Sequence, residues 1–275
     1  MRRRLLRACG VMTAGAALLL AGCSGNDGGT GGAEGAGKTD GKGGTSTSAP
    51  APASPTPTPT GIGFTPDPSR APRTAADAER IALAIVAGPD GWGPDYVKRT
   101  PYLSTPGSWP VLDKECTWEG GERPGTVLSS VTAYSEVPAA GGKSVLRVAA
   151  TVTVHRTEAD ADWEMAETLE EALRCPGQRL REGERITDLM SLGTPYGIGG
   201  NVTTTDSVLE RGFYLNDAFK GRQFYTWYQT RIGQVTVATV VKGAPGYTEA
   251  DINPDQVRAN VTMQERVKAQ LGATS

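Results

Sequence analysis

Between Ser24 and Arg73 the chain carries almost no large apolar residue, which confines whatever can fold to the roughly 200 residues that follow. Such a stretch buries too little surface to offset the entropy of ordering it, so it reads as a linker. Two regimes are visible in it. Residues 24–48 are Gly, Ser and Thr with scattered charges, a flexible coil averaging about 28 Å end to end. Residues 49–60 alternate proline with Ala, Ser or Thr, and the run from Ala49 to Pro68 predicts a polyproline II rod of about 60 Å.

Ahead of the linker, Arg2, Arg3, Arg4 and Arg7 precede an apolar run from Val11 to Ala21, with no acidic residue among them. Eleven residues make only about 16 Å of helix, roughly half of a hydrocarbon core, so the run reads as an export signal and not as a span. It closes on Leu20-Ala21-Gly22-Cys23, which resembles the lipobox of bacterial lipoproteins at every position. The resemblance implies cleavage before Cys23, a diacylglycerol on its thiol, often a further acyl chain on the new amino group, and residence on the outer face of the cell membrane. Two or three chains, at about 0.8 kcal/mol per buried methylene, hold a protein far more firmly than one. The organisation expected is a signal peptide over 1–22, a lipidated cysteine and disordered linker over 23–73, and one extracytoplasmic domain over 74–275.

Loss of the signal removes four arginines and leaves 24 basic against 30 acidic residues, a poor match to nucleic acid or to an anionic lipid surface. Of the four cysteines, Cys9 leaves with the signal and Cys23 is taken by lipid. Cys116 and Cys175 remain, and in an oxidising compartment their simplest state is a disulfide. Closing a loop of about 60 residues contributes roughly 4 kcal/mol in the chain-entropy model.

Thr74-Ala-Ala-Asp77 has the form of a capped helix start, with Ala78, Ile81 and Ile85 on one face before the stop at Gly88-Pro89. A long Gly- and Pro-rich loop follows, whose Trp92, Tyr96, Trp109 and Trp118 are expected to tuck onto the core. Strands are predicted over 126–135, 144–156, 184–191, 201–215, 222–231 and 234–242, the last two meeting at Ile232-Gly233. The clearest alternates Leu146, Val148, Ala150, Val152 and Val154 against Arg147, Thr151, Thr153 and His155. A helix over 158–173 is expected to pack by Ala159, Trp163, Ala166, Leu169 and Leu173, and a closing helix over 254–271 by Val257, Val261, Val267 and Leu271. This order argues for an α+β fold, an antiparallel sheet packed with helices.

The β-rich run ending at Val154, the helix carrying Trp163 with Cys175 at its end, and the strand Arg231-Ile-Gly-Gln-Val-Thr-Val lie within Ser144–Gly243. That stretch resembles the extracellular sensor domain of PknH-type actinobacterial Ser/Thr kinases and of lipoproteins carrying the same module. The resemblance implies a mixed α/β domain with a ligand cleft and two disulfides. This chain departs from it in having cysteines for one disulfide and no kinase domain.

No Gly-x-Ser-x-Gly elbow, Ser-x-x-Lys or His-Glu-x-x-His pattern is present, so the reading is of a non-enzyme. His155, the sole histidine, falls on the polar face of its strand and is expected to be solvated. The acidic run from Glu158 to Glu171 lacks the glycine turns of a calcium loop and reads as a solvated helix face. No cofactor or metal is implied. Gly193–Gly200 reads as a strand connection and, secondarily, as a cleft lining. The Asn201 and Asn260 sequons are idle in a bacterial chain.

The strongest lead is the aromatic stretch Phe213, Tyr214, Phe224, Tyr225, Trp227 and Tyr228. On a strand Tyr225 and Trp227 share one face and Phe224 and Tyr228 the other, so one pair belongs to the core; the other is open either to packing under a helix, the favoured reading, or to a ligand. Tyr225, Trp227 and Arg231 are the candidate ligand contacts, suited to a sugar or peptide. The function expected is a membrane-tethered sensor or ligand-binding module. The alternative is a scaffold for other envelope proteins, with a cell-wall enzyme the weakest reading.

Overall fold

The computed structural model describes residues 64–194 and 204–272, which lie in one compact unit, Thr56–Ser275. The lipobox, Cys23, Asn201 and most of the Gly193–Gly200 run lie outside the described residues. Residues 64–73, within the stretch read as linker, pack on the domain. Phe64 reaches the core, Asp67 N–H donates to the Leu271 carbonyl at 2.8 Å, and the Arg70 guanidinium donates to the Gly272 carbonyl at 2.6 Å.

The fold is α+β. Its strands, in chain order, are β1 (Val97–Leu103), β2 (Ser108–Leu112), β3 (Trp118–Glu122), β4 (Val127–Val137), β5 (Leu146–His155), β6 (Gln178–Arg181), β7 (Glu184–Thr194), β8 (Asp206–Asn216), β9 (Gln223–Ile232) and β10 (Val235–Lys242). Its helices are α1 (Ala75–Ile85), α2 (Pro89–Trp92), α3 (Glu158–Arg174) and α4 (Glu249–Leu271). Eight strands form one antiparallel sheet in the order β1-β4-β5-β10-β9-β8-β7-β6, and β2 and β3 form a separate hairpin.

The alternation of β5 sets the layers. Leu146, Val148, Ala150, Val152 and Val154 join Val235, Val237 and Val241 of β10 under α1 and α4, which bring Ile81, Ile85, Ala259, Met263, Val267 and Leu271. Trp92 and Tyr96 are buried in this core, as expected, but Trp109 and Trp118 stand on the β2–β3 hairpin instead. The other face of the sheet carries α3 at one side and lies open at the other.

Each long helix starts on a threonine whose side chain accepts the backbone N–H three residues on, Thr74 for α1, Thr157 for α3 and Thr248 for α4. The capping box of Thr248 and Asp251 starts α4 at Glu249, five residues before the proline expected to open it. Pro254 is carried inside the helix with one backbone bond unmade. Val267 and Leu271 are buried, but Val257 and Val261 are turned to the outside. The face that packs carries Gln256 and Asn260, which hydrogen-bond Thr226, Thr230 and the Thr239 and Tyr228 carbonyls across the core, and Gln264, whose Nε2 donates to Asn260 Oδ1 within the helix. Asn260 is fully buried, so its sequon is closed to modification in the folded chain.

The helix α3 packs by a face other than the apolar one. Trp163 is 66 % and Leu173 82 % exposed, whereas Ala161, Met165 and Ala172 are buried and Glu164, Thr168 and Glu171 turn toward the sheet. The reason is the surface beneath, which offers hydroxyls, an imidazole and an amide. A helix satisfies these with polar side chains and cannot with leucine.

Candidate functional site

Cross-strand register places the side chains of the open face in rows. Tyr134, Ala149, Val240, Trp227 and Glu210 make one row across β4, β5, β10, β9 and β8. On one side of it Arg147, Lys242 and Tyr225 make the next, and on the other come Thr132, Thr151, Ala238 and Gln229. With α3 as one wall and the β2–β3 hairpin as another, these rows floor a cleft of about 650 Å³. Its size is that of a pocket for a small molecule or short oligomer.

The floor is hydroxyl-rich. Ser130 and Thr153 are 3.2 Å apart through their oxygens, and Thr132 and Thr151 are 2.9 Å apart. Thr168 on α3 and the Trp227 indole both donate to Gln229 Oε1, at 2.9 and 3.3 Å. The hairpin wall presents Trp109 and Trp118, and the Trp118 indole donates to Gln178 Oε1 at 2.8 Å.

Cys116 and Cys175 are joined in a disulfide that ties the hairpin to the end of α3. The Arg174 guanidinium reinforces the joint by donating to the Asp113 and Leu112 carbonyls, and Arg179 N–H donates to the Cys116 carbonyl at 2.8 Å. The disulfide therefore holds one wall of the cleft in place.

Two clusters of charge line the cleft. Glu171 of α3 and Glu210 of β8 face one another's field, and among the described residues neither makes an ion pair. Burial, then the Glu167 charge, pushes the Glu171 carboxyl up to about 7, and burial, then Glu171, pushes Glu210 to about 8. The Ser191 hydroxyl beside Glu210 partly offsets this. Tyr225 is pushed strongly upward by burial and by the same two carboxyls.

Across the floor stand Arg99, Arg147, Arg181 and Lys242. Glu184 bonds Arg181 and, at 3.1 Å, Lys242. Its burial works to raise its pKa, but the two cations outweigh this and hold it at about 2. Burial lowers the Lys242 pKa; Glu184 opposes this, while Arg181 and Arg99 depress it further, so the cations crowd together.

Of the residues expected to contact a ligand, Tyr225 and Trp227 line the cleft and Arg231 does not. Arg231 is nearly buried, its Nε 3.0 Å from Asp206 and its Nη2 3.2 Å from Asp162. It fastens β9 to β8 and α3. Phe224 packs at the edge of the core below the sheet. His155 is 2 % exposed, where solvation was expected, because α3 covers it. Its Nε2 lies 2.8 Å from Glu164 Oε2, which also accepts from Thr236 Oγ1 at 2.5 Å. Among the described residues no group of three or more His, Cys, Asp or Glu could hold a metal, and no helix is long and apolar enough to cross a membrane.

Glu210, Arg99 and Lys242 were not singled out by sequence, whereas Trp109 and Trp118, expected on the core, and Glu171, expected on a solvated helix face, line the cleft instead. A signal for Glu210 existed: it is in phase with Val208 and Tyr214, the inward positions of its strand. The arrangement defines an α+β domain with one walled, polar and aromatic cleft. No family model matches the chain, and no curated protein matches it.

Proposed function

We propose that the protein is a lipid-anchored, extracytoplasmic, non-catalytic ligand-binding module whose ligand occupies the cleft between α3 and the β2–β3 hairpin. The observation that carries this is the joint lining of a 650 Å³ cleft by Tyr225, Trp227, Trp109 and Trp118 over a floor of hydroxyls. Aromatic faces supply area, and the Thr, Ser and Gln groups supply orientation. The lipobox and the linker account for placing such a cleft clear of a bilayer. Thermal-shift screening of cell-wall fragments tests the reading. A fragment that raises the melting temperature of the wild type and not of Trp227→Ala supports it, and a screen with no such fragment sinks it.

A second reading, a scaffold for envelope proteins, draws on the exposed Trp163 and Leu173 of α3. Under it, in-cell crosslinking through residue 163 captures one discrete partner, and the capture is lost in Leu173→Ser.

A further inference from the structure

Opposite charges that share a cleft ordinarily pair, and here they are kept apart. Glu171 and Glu210 make no ion pair, although burial penalises their charge. The nearest cation to Glu171, Arg174, is engaged by Glu170 at 3.0 Å and by the Leu112 and Asp113 carbonyls. Glu210 is 7 % exposed, lines the cleft, and has only the Ser191 hydroxyl as a donor beside it. A buried carboxyl, Glu210, beside the partly buried Glu171, with one neutral donor between them, is an unfilled place for a cation.

The opposite wall is unfilled in the reverse sense. Arg99, Arg147, Arg181 and Lys242 meet there, and Glu184 is the carboxylate bonded among them. Arg99 lies over the Tyr134 ring at 5.5 Å, and neither it nor Arg147 makes an ion pair among the described residues. Glu136 is the cross-strand neighbour of Arg147, and Glu119 of β3 also borders the cleft, yet neither bonds these arginines. The other acids of α3 that line the cleft are occupied, Glu164 by His155 and Thr236 and Glu167 by the Trp163 indole at 2.8 Å.

The separation of the two poles follows from the register. Lys242 on β10 is level with Gly212 on β8 across one intervening strand, and Glu210 lies two residues further along. Strand spacing and rise put their backbones about 12 Å apart. Three extended residues span at most about 10 Å, and the side chains of both poles reach inward over the floor. Between them lie Trp227, Val240 and Tyr225, apolar surface for side chains, with Gln229 and the threonines alongside for amides.

We infer that the cleft takes a short zwitterionic peptide, its ammonium between Glu171 and Glu210 and its carboxylate on Arg99, Arg147 and Lys242. This rests on the cleft being a binding site and adds the class of ligand. A free α-amino acid is too short to reach both poles, and a neutral sugar leaves both unpaired.

The test is titration calorimetry of the full chain in detergent with trialanine, N-acetyl-trialanine and trialanine amide. Trialanine is expected to bind, and blocking either end to weaken it at least tenfold. Glu210→Gln should weaken trialanine and leave N-acetyl-trialanine unchanged. Arg147→Gln, at an exposed position, should weaken trialanine and leave the amide unchanged. Equal binding of the free and blocked peptides overturns the inference. So does a failure of trialanine to bind while another fragment shows Trp227-dependent stabilisation, and in that case the cleft reading stands. If no compound shows Trp227-dependent binding, both fall.

Discussion

At pH 7 a carboxyl in water is ionised, whereas Glu210, with a pKa of about 8, holds its proton in the folded chain. The linkage has a definite sign. Between an unfolded value near 4.5 and a folded value of about 8 the native state keeps a proton that the unfolded chain releases. This stabilisation is complete below about 4.5 and is lost as pH rises toward 8, at about 1.4 kcal/mol per pH unit for each proton. Glu171, at about 7, acts in the same direction. Glu184, held at about 2, acts oppositely: its contribution is present above about 4.5 and is lost as pH falls toward 2. Melting temperature is therefore expected to fall between pH 5 and pH 8.5, and to fall less steeply in Glu210→Gln. A profile that is flat or rising over that interval contradicts the burial of this pair. Arg231 gives a second prediction at this scale. Its removal in Arg231→Met leaves the partly buried Asp206 without its cation, and leaving such a group unpaired costs about 1–3 kcal/mol. Chemical denaturation should show that loss. Ligand-induced stabilisation should persist, since Arg231 does not line the cleft.

Among the elements, α3 shows where sequence was legible and where it was not. Its bounds follow from Thr157 and from the chain's turn at Cys175-Pro176, both local signals. Its orientation depends on the surface it meets, which no periodicity count contains. The stripe of Ala159, Trp163, Ala166, Leu169 and Leu173 is real, but the open face of β5, β9 and β10 offers Thr153, Thr236, Gln229 and His155. The helix therefore turns Glu164 and Thr168 inward. Met165→Ala is expected to destabilise by about 2 kcal/mol or more, while Trp163→Ser changes stability by about 0.5 kcal/mol or less. Equilibrium denaturation of the two variants distinguishes this orientation from the reverse one, which predicts the opposite order. The pair β9 and β10 was legible because both are rich in β-branched and aromatic residues and meet at the tight turn Ile232-Gly233. The hairpin of β2 and β3 was not, because Pro110, Gly120 and Gly121 are poor strand formers, and what holds it is a disulfide and arginine contacts to distant carbonyls. Of the site, Tyr225 and Trp227 were readable from the phase of β9, whereas the cations and carboxyls converge from β1, β5, β8, β10 and α3. Reduction of Cys116–Cys175, or Cys116→Ser with Cys175→Ser, should lower stability by roughly 4 kcal/mol on the loop-entropy scale. It should also free the Trp109 and Trp118 wall. Ligand stabilisation should then drop beyond what the lower melting temperature explains, as read by titration of the reduced protein below its transition.

For the molecule as a whole, the packing of Phe64 and Asp67 on the domain starts the fold about ten residues ahead of the boundary expected at residue 74. Under the proposed reading anchor and fold are energetically separate: acyl chains on Cys23 would act through methylene burial in a bilayer, while the domain is held by its own sheet and helices. Separate energetics give a two-part expectation for Cys23→Ser. The protein should leave the membrane fraction and lose its acyl mass, because no helix among the described residues replaces the lipid as a span. Its melting temperature and its Trp227-dependent stabilisation should match those of the lipidated form, because the described residues that line the cleft begin at Arg99. Fractionation, intact-mass measurement and thermal melting read these outcomes independently. A Cys23→Ser protein that still sediments fully with membranes removes the lipid anchor from the account. A shifted melting temperature would instead show that anchor and domain are coupled.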